Sequence, residues 1–173
     1  MNKRITFFVL LIGISLACSF LSPVPPSEAG NVEMVAGDDT EMNAAILEAQ
    51  ETLPLFIQAF QNPKSTQTYF GIKAKFPYGD GDSAEHLWLS DLSYKNNLFI
   101  GVVGNEPVYV KTIQMGDQIS VSIADISDWM IIEENRLLGG FTIHALRNNL
   151  TPSEREKFDN ELGFIISDEP ELP

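Results

Sequence analysis

The spacing of apolar residues changes once along this chain, and that change limits the fold more than any other feature. From residue 42, Met42, Ile46, Ala49, Leu53, Phe56 and Phe60 recur at steps of three and four, which puts them on one face of an α-helix. From Phe70 the step becomes two. Phe70, Ile72, Ala74 and Phe76 alternate with Lys73 and Lys75, the pattern of a strand with one buried and one solvated face. One helix followed by strands with short connections is not a parallel α/β fold, which needs a long crossover between strands.

The downstream sequence extends the second pattern. "EHLWLSDLSY", "NLFIGVVGNEP" and "DQISVSIADI" read as strands, "PYGDGDS" and "MGD" as turns. "DWMII" and "LLGGFTI" flank "EENR" as a hairpin. In "LTPSEREKFDNEL", Thr151 is an N-cap, Pro152 takes the first helical position and Glu154 completes a capping box, so a late helix is expected. Asp39 or Thr40 can cap the first helix, and Pro54 inside it predicts a kink or break. The expected fold is α+β: an N-terminal helix, a curled, mainly antiparallel sheet or small barrel of about five or six strands, and a C-terminal helix.

At the N-terminus, Lys3 and Arg4 precede an uncharged apolar run over residues 5–17. That run is shorter than the roughly 20 residues a membrane-spanning helix takes, and it reads as an export signal. Small residues in "SEA" suit cleavage before Gly30. Alternatively, "SLAC" resembles the bacterial lipoprotein box, with the signal ending at residue 17 and Cys18 lipidated, although Ser15 and Leu16 depart from that box. Cys18 is the only cysteine, so no internal disulfide forms. The organisation expected is a signal and linker over 1–29, linker over 30–39, one α+β domain over 40–165 and an acidic tail over 166–173, its "SDEPELP" disordered.

Asp and Glu number 24 against 11 Lys and Arg, a net charge of −13. That excludes nucleic acid, whose phosphates need clustered cations, and leaves membrane contact only to a signal or lipid anchor. A protein or small ligand is the partner expected.

The pieces 72–76, 85–89, 99–107, 116–121, 126–130 and 139–143, with the leading "MNAAILEAQETLPLF", resemble in order the bacterial family known as domain of unknown function 2314, the YegJ-like proteins. The resemblance spans residues 42–146 and implies a fold but no chemistry. His144 stands where the family pattern suggests an arginine.

Among residues with chemical potential, alternation in "EHLW" sets Glu85, Leu87 and Leu89 on one face and His86 and Trp88 on the other. His86 has the chemistry of a general base or metal ligand; the plainer reading is a ring satisfied by a backbone carbonyl. The two histidines, His86 and His144, lack ligand spacing. Asp80, Asp82 and Glu85 supply oxygens in a turn, but Ala84 stands where a calcium loop needs its fifth-position oxygen. No metal or cofactor is expected.

Asp128 and Trp129 are neighbours in a strand and point to opposite faces. Trp129 suits a core anchor, while Asp128 suits capping a turn or pairing with Arg136 or Arg147. Gly139 and Gly140 suit positive φ or close backbone approach. The alternative is a groove for a ligand or partner, floored by Gly139 and Gly140 and flanked by Trp88, with His86 and Asp128 as polar contacts; Glu85 and Trp129 complete the candidate set.

No nucleophile elbow, phosphate-cradling glycine loop or nucleotide fingerprint occurs, and nothing favours a triad of His86 with Ser90 or Ser93. The expected function is a small binding or protein-interaction module of the bacterial envelope, periplasmic or lipid-anchored. Its alternatives are a hydrolase or metal-dependent enzyme using His86 with nearby carboxylates, and an inhibitor of a basic partner.

Overall fold

A computed structural model describes residues 39–79 and 83–173. The export signal, Cys18, the linker before Asp39, and the turn residues Asp80 and Asp82 lie outside the described residues. Helix α1 spans Thr40–Gln61, and the Asp39 carboxylate accepts from the N–H groups of Glu41 and Met42 at its start. The helix continues through Pro54, so of the kink or break expected there the break does not occur. Proline removes one helical bond there, but Ala49, Leu53 and Phe56 on either side are buried, and tertiary packing supplies most helical stability in a protein.

Six strands follow: β1 Gln67–Tyr78, β2 Ser83–Lys95, β3 Leu98–Val103, β4 Gln118–Ser122, β5 Ile126–Glu133 and β6 Arg136–Gly139. Every pairing is antiparallel, in the order β4-β3-β2-β1-β5-β6. The sheet is open, so of the two forms expected the closed barrel is not adopted, and α1 covers the inner face. Two-residue turns join β2 to β3 and β5 to β6. Asn96, Asn97, Glu134 and Asn135 in them have φ of 52°, 60°, 49° and 63°, the conformation that matches the twist of paired strands.

On the inner face Ile72, Ala74, Leu89, Phe99, Val121, Trp129 and Ile131 pack against Ala49, Leu53 and Phe56 of α1. Trp129 is fully buried, with its ring 5.6 Å from that of Phe56. Its indole N–H donates to the Ala49 carbonyl and the Thr52 hydroxyl, each at 3.1 Å, so its polar atom is satisfied as a core tryptophan's must be.

The strand expected to run through "LLGGFTI" stops at Gly139, and Phe141 starts helix α2, Phe141–Asn148. Helix α3, Pro152–Leu162, has the expected Thr151–Glu154 capping box. The tail is not the disordered segment its composition suggested. It returns along β6: the Leu137 N–H donates to the Ile165 carbonyl at 2.9 Å, the Ile165 N–H to Asn135 at 2.8 Å and the Gly139 N–H to Glu171 at 2.8 Å. Leu137 and Gly139 are buried, and a buried N–H needs an acceptor, which here the returning chain supplies. An Arg136–Glu171 ion pair at 2.7 Å ties down the same segment.

On the outer face, Met130, Ile132 and Leu137 form a second cluster with Ile143 and Ile166, against which Phe158, Leu162 and Phe164 pack. Helix α3 and the tail thus cover the β5–β6 side. At the far side, Leu98 and Ile100 on β3 remain 45% and 42% exposed.

Candidate functional site on the outer face of the sheet

The register of the central strand gathers the polar side chains. Lys73 on β1 lies opposite Trp88 on β2 and Asp128 on β5, and Lys75 lies opposite His86. Directly paired residues share a face, so Lys73, Lys75, His86, Trp88 and Asp128 all belong to the outer one. A register shift between Lys73 and Ala74 leaves Ser127 unpaired beside them.

Asp128 is fully buried and its carboxylate is fully used. Oδ1 accepts from the N–H groups of Trp129 at 2.8 Å and Phe141 at 3.2 Å; Oδ2 accepts from the Thr142 N–H at 2.9 Å and hydroxyl at 2.6 Å. A carboxylate offers about four lone-pair positions, so Asp128 has none left for a ligand. It caps α2 from the strand, replacing the side-chain cap that Gly140 cannot provide. It does not pair with an arginine as anticipated: Arg136 goes to Glu171, and Arg147 to Asp159 at 2.8 Å. Burial pushes the Asp128 carboxyl up, against the pull of Thr142, Lys73 and the backbone donors.

Lys73 donates to the Thr142 hydroxyl at 3.1 Å, and its ammonium lies 5.5 Å from the Trp88 ring centre. Burial lowers its affinity for a proton, partly offset by Asp128. His86 Nδ1 lies 2.7 Å from Ser127 Oγ, which also reaches the Lys73 carbonyl at 3.3 Å. The ring is therefore satisfied by a hydroxyl rather than by the backbone carbonyl expected. Burial, and then Lys73 and Lys75, pull His86 down to about 4.

Of the candidate residues, His86, Trp88 and Asp128 share this face. Glu85 does not converge with them: it points inward, and its carboxylate accepts the N–H groups of Val108, Tyr109 and Val110 at 2.6, 2.9 and 2.9 Å, anchoring the β3–β4 loop. Trp129 also lies on the inner side. Gly139 and Gly140 both have positive φ, 71° and 65°, but they abut Trp129 and Leu137 and do not floor a groove. Lys73, Ser127 and Thr142 escaped notice in the sequence. A lysine alternating with apolar residues looks solvated, and only pairing with β5 shows that α2 lies above it.

Both nearby carboxylates hold backbone, so neither is free to serve His86, and Ser127 beneath it is only 2% exposed. Among the described residues no three His, Cys, Asp or Glu side chains are placed to hold a metal ion. The cluster joins strand, helix and bulge, and the surface it presents is Trp88, Lys75 and the edge of His86.

A six-stranded open antiparallel sheet backed by one helix and flanked by two defines an α+β domain. The chain belongs to the family described as an uncharacterized protein conserved in bacteria, domain of unknown function 2314, which it matches over residues 39–165. It is 34% identical to YegJ of Escherichia coli K12 over 134 residues, 77% of this chain and 85% of that protein. It is also 36% identical over 89 residues to a Neisseria meningitidis serogroup B protein named putative ankyrin repeat protein, 51% of this chain and 35% of that protein. No solved structure matches it.

The histidines predict the direction of the acid response. His86 lies below its ordinary value, as does His144, which is 4% exposed with both ring nitrogens lacking a partner among the described residues. Burial is the main cause at His144; Arg147 adds to it, and Glu169 and Glu171 oppose it. At these histidines the unfolded chain therefore binds more protons than the native one below about pH 6.5, for His86 down to about 4, so their contribution to stability is lost as pH falls through that window. For partly exposed His86, on the order of 1 kcal/mol is expected after allowing for solvent screening. Urea midpoints should drop from pH 7.5 to 5, and drop less in a His86→Gln, His144→Gln double variant. The same change of midpoint in wild type and in the double variant would refute the assignment.

Proposed function

We propose that this domain is a protein-binding module of the bacterial cell envelope, and that its partner docks on the uncovered part of the outer face. The observation that carries this reading is the unequal covering of the sheet. Helix α1 packs on one side, while on the other Leu98 and Ile100 stay exposed in line with half-buried Val102 on β3. An exposed apolar patch rimmed by polar residues is characteristic of an interaction surface. The Neisseria relative supports the same reading, because this domain matches only part of a protein named for a repeat architecture, and such repeats build extended binding surfaces. Export, by cleavage before Gly30 or lipidation at Cys18, rests on the charged start and short apolar run.

The test is a Leu98→Ser, Ile100→Ser double variant expressed in the parent bacterium at native level, with crosslinked partners identified by mass. The variant should fold like wild type, since both side chains are exposed, and lose the crosslinked species. Retention of every crosslinked species overturns the docking face. Mass spectrometry of the mature chain should find a lipidated Cys18 or a new Gly30 terminus; an intact Met1 in the cytoplasm overturns the envelope location.

A further inference from the structure

The two edges of the sheet are treated differently. The β6 edge is closed by the chain itself, through the bonds from Leu137 and Gly139 to Ile165 and Glu171. Among the described residues the β4 edge has no strand beyond it. The Val103 N–H donates to the Asp117 carbonyl and the Ile123 N–H to the Asn97 carbonyl, bracketing the β3–β4 ladder. Hydrogen-bonded pairs alternate in an antiparallel ladder. Ile119 and Val121 therefore turn their backbone groups to β3, and Gln118, Ser120 and Ser122 turn theirs outward. Charges, prolines and bulges are the usual devices that keep such an edge from pairing. None is present within "QISVS".

We infer that β4 is a docking edge for an extended, cationic segment of a partner protein, which adds to the sheet as a seventh strand. This rests on the binding-module reading above and names its mode and chemistry. Side chains favour the same conclusion. On the outer face β4 carries only Gln118, Ser120 and Ser122, paired with Val102, Ile100 and Leu98 of β3. Small serines leave a step over which larger apolar side chains of an added strand lean onto Ile100 and Leu98. On the inner face Val121 and Ile119 already join the core. The sign of the partner follows from charge complementarity. Asp117 and Asp125 stand exposed just before and after β4, on a chain of net charge −13, so lysines or arginines at the ends of the added strand meet carboxylates at both ends. Strand addition of this kind takes its affinity from main-chain bonds and its specificity from alternate side chains.

The probe is a labelled peptide of sequence KVSVSVK, titrated into the full chain, with amide hydrogen exchange read residue by residue. The amides of Gln118, Ser120 and Ser122, fast in the free protein, should slow at least tenfold at saturation, and binding should weaken as salt rises. Ser120→Pro removes an outward N–H, a change tolerated at a sheet edge. It should abolish peptide binding while leaving the unfolding midpoint near wild type. If it unfolds the domain, the probe N-methylated at its central residue tests the same ladder on the wild-type protein and should fail to bind. A peptide with glutamates in place of lysines binding equally well overturns the cationic assignment. Protection of the outward amides without peptide overturns the proposal in favour of a second copy if it grows with protein concentration, or of the chain's own N-terminal residues if it does not. If crosslinked partners are lost on changing Leu98 and Ile100 but KVSVSVK gives no protection, the face is the docking site and the edge is not.

Discussion

Replacing Gly139 by alanine is expected to destabilise the domain by about 3 kcal/mol or more, well beyond the same change at Gly140. Both positions have positive φ, so each substitution incurs on the order of 1 kcal/mol of backbone strain. They differ in what the added carbon meets. At Gly139 it falls 2.5 Å from the Trp129 carbonyl and ring. That tryptophan is fully buried between Phe56 and Phe141 and fixed by its own hydrogen bonds, so it cannot yield. At Gly140 the added carbon meets only side-chain atoms of Leu137, the nearest at 2.7 Å, which yield more readily than a backbone carbonyl or an indole ring. Overpacking a rigid core typically costs 1–3 kcal/mol beyond strain. Against a total stability of about 5–15 kcal/mol, the Gly139 variant should melt some 10 °C below wild type, and valine lower still. Thermal and urea melts of the two alanine variants read the ranking. Equal midpoints, or a lower one for Gly140→Ala, would show that the chain leaves the β5–β6 hairpin in some other way.

That hairpin exit also shows where sequence was informative and where it was not. The two glycines announced a sharp turn, and the turn is there, because positive φ is a property of the residue itself. Helix α1 and the alternation of β1 were legible for a similar reason: their apolar spacing records which face is buried. The α3 capping box was legible because both its members lie within four residues. Helix α2 was not. Its start has β-branched Thr142 and Ile143 and no side-chain cap of its own, and the capping carboxylate comes from Asp128, thirteen residues earlier on a strand. The tail misled for a parallel reason, since its acidic composition suits solvent but its backbone completes the β6 edge. The candidate site was half visible. Alternation separated Glu85 from His86, but the partners of His86 and Asp128 depend on a strand register and a bulge that no local spacing encodes.

Asp128→Ala should therefore be the most costly change on the outer face, about 3–5 kcal/mol. It strips the acceptors from two buried N–H groups at the start of α2, from the Trp129 N–H and from the Thr142 hydroxyl. Each unsatisfied buried donor costs about 1–3 kcal/mol, partly relieved by water or rearrangement. It also removes the negative charge that Lys73, bonded to the same Thr142 hydroxyl, feels nearby. Asp128→Asn separates these effects. The amide keeps shape and one acceptor oxygen but turns an NH2 toward donors, so an intermediate loss of about 1–3 kcal/mol is expected. Lys73→Met alone should cost less, because a methionine fills the space over Trp88 while Asp128 keeps its four donors. If the charges act on each other, the Lys73→Met, Asp128→Asn double variant should lose less than the sum of the single losses. Urea denaturation of all four proteins closes the cycle. Strict additivity would mean that Asp128 acts only as the cap of α2 and that Lys73 is held by Thr142 and Trp88 alone; a wild-type midpoint for Asp128→Ala would mean that the cap itself is not needed.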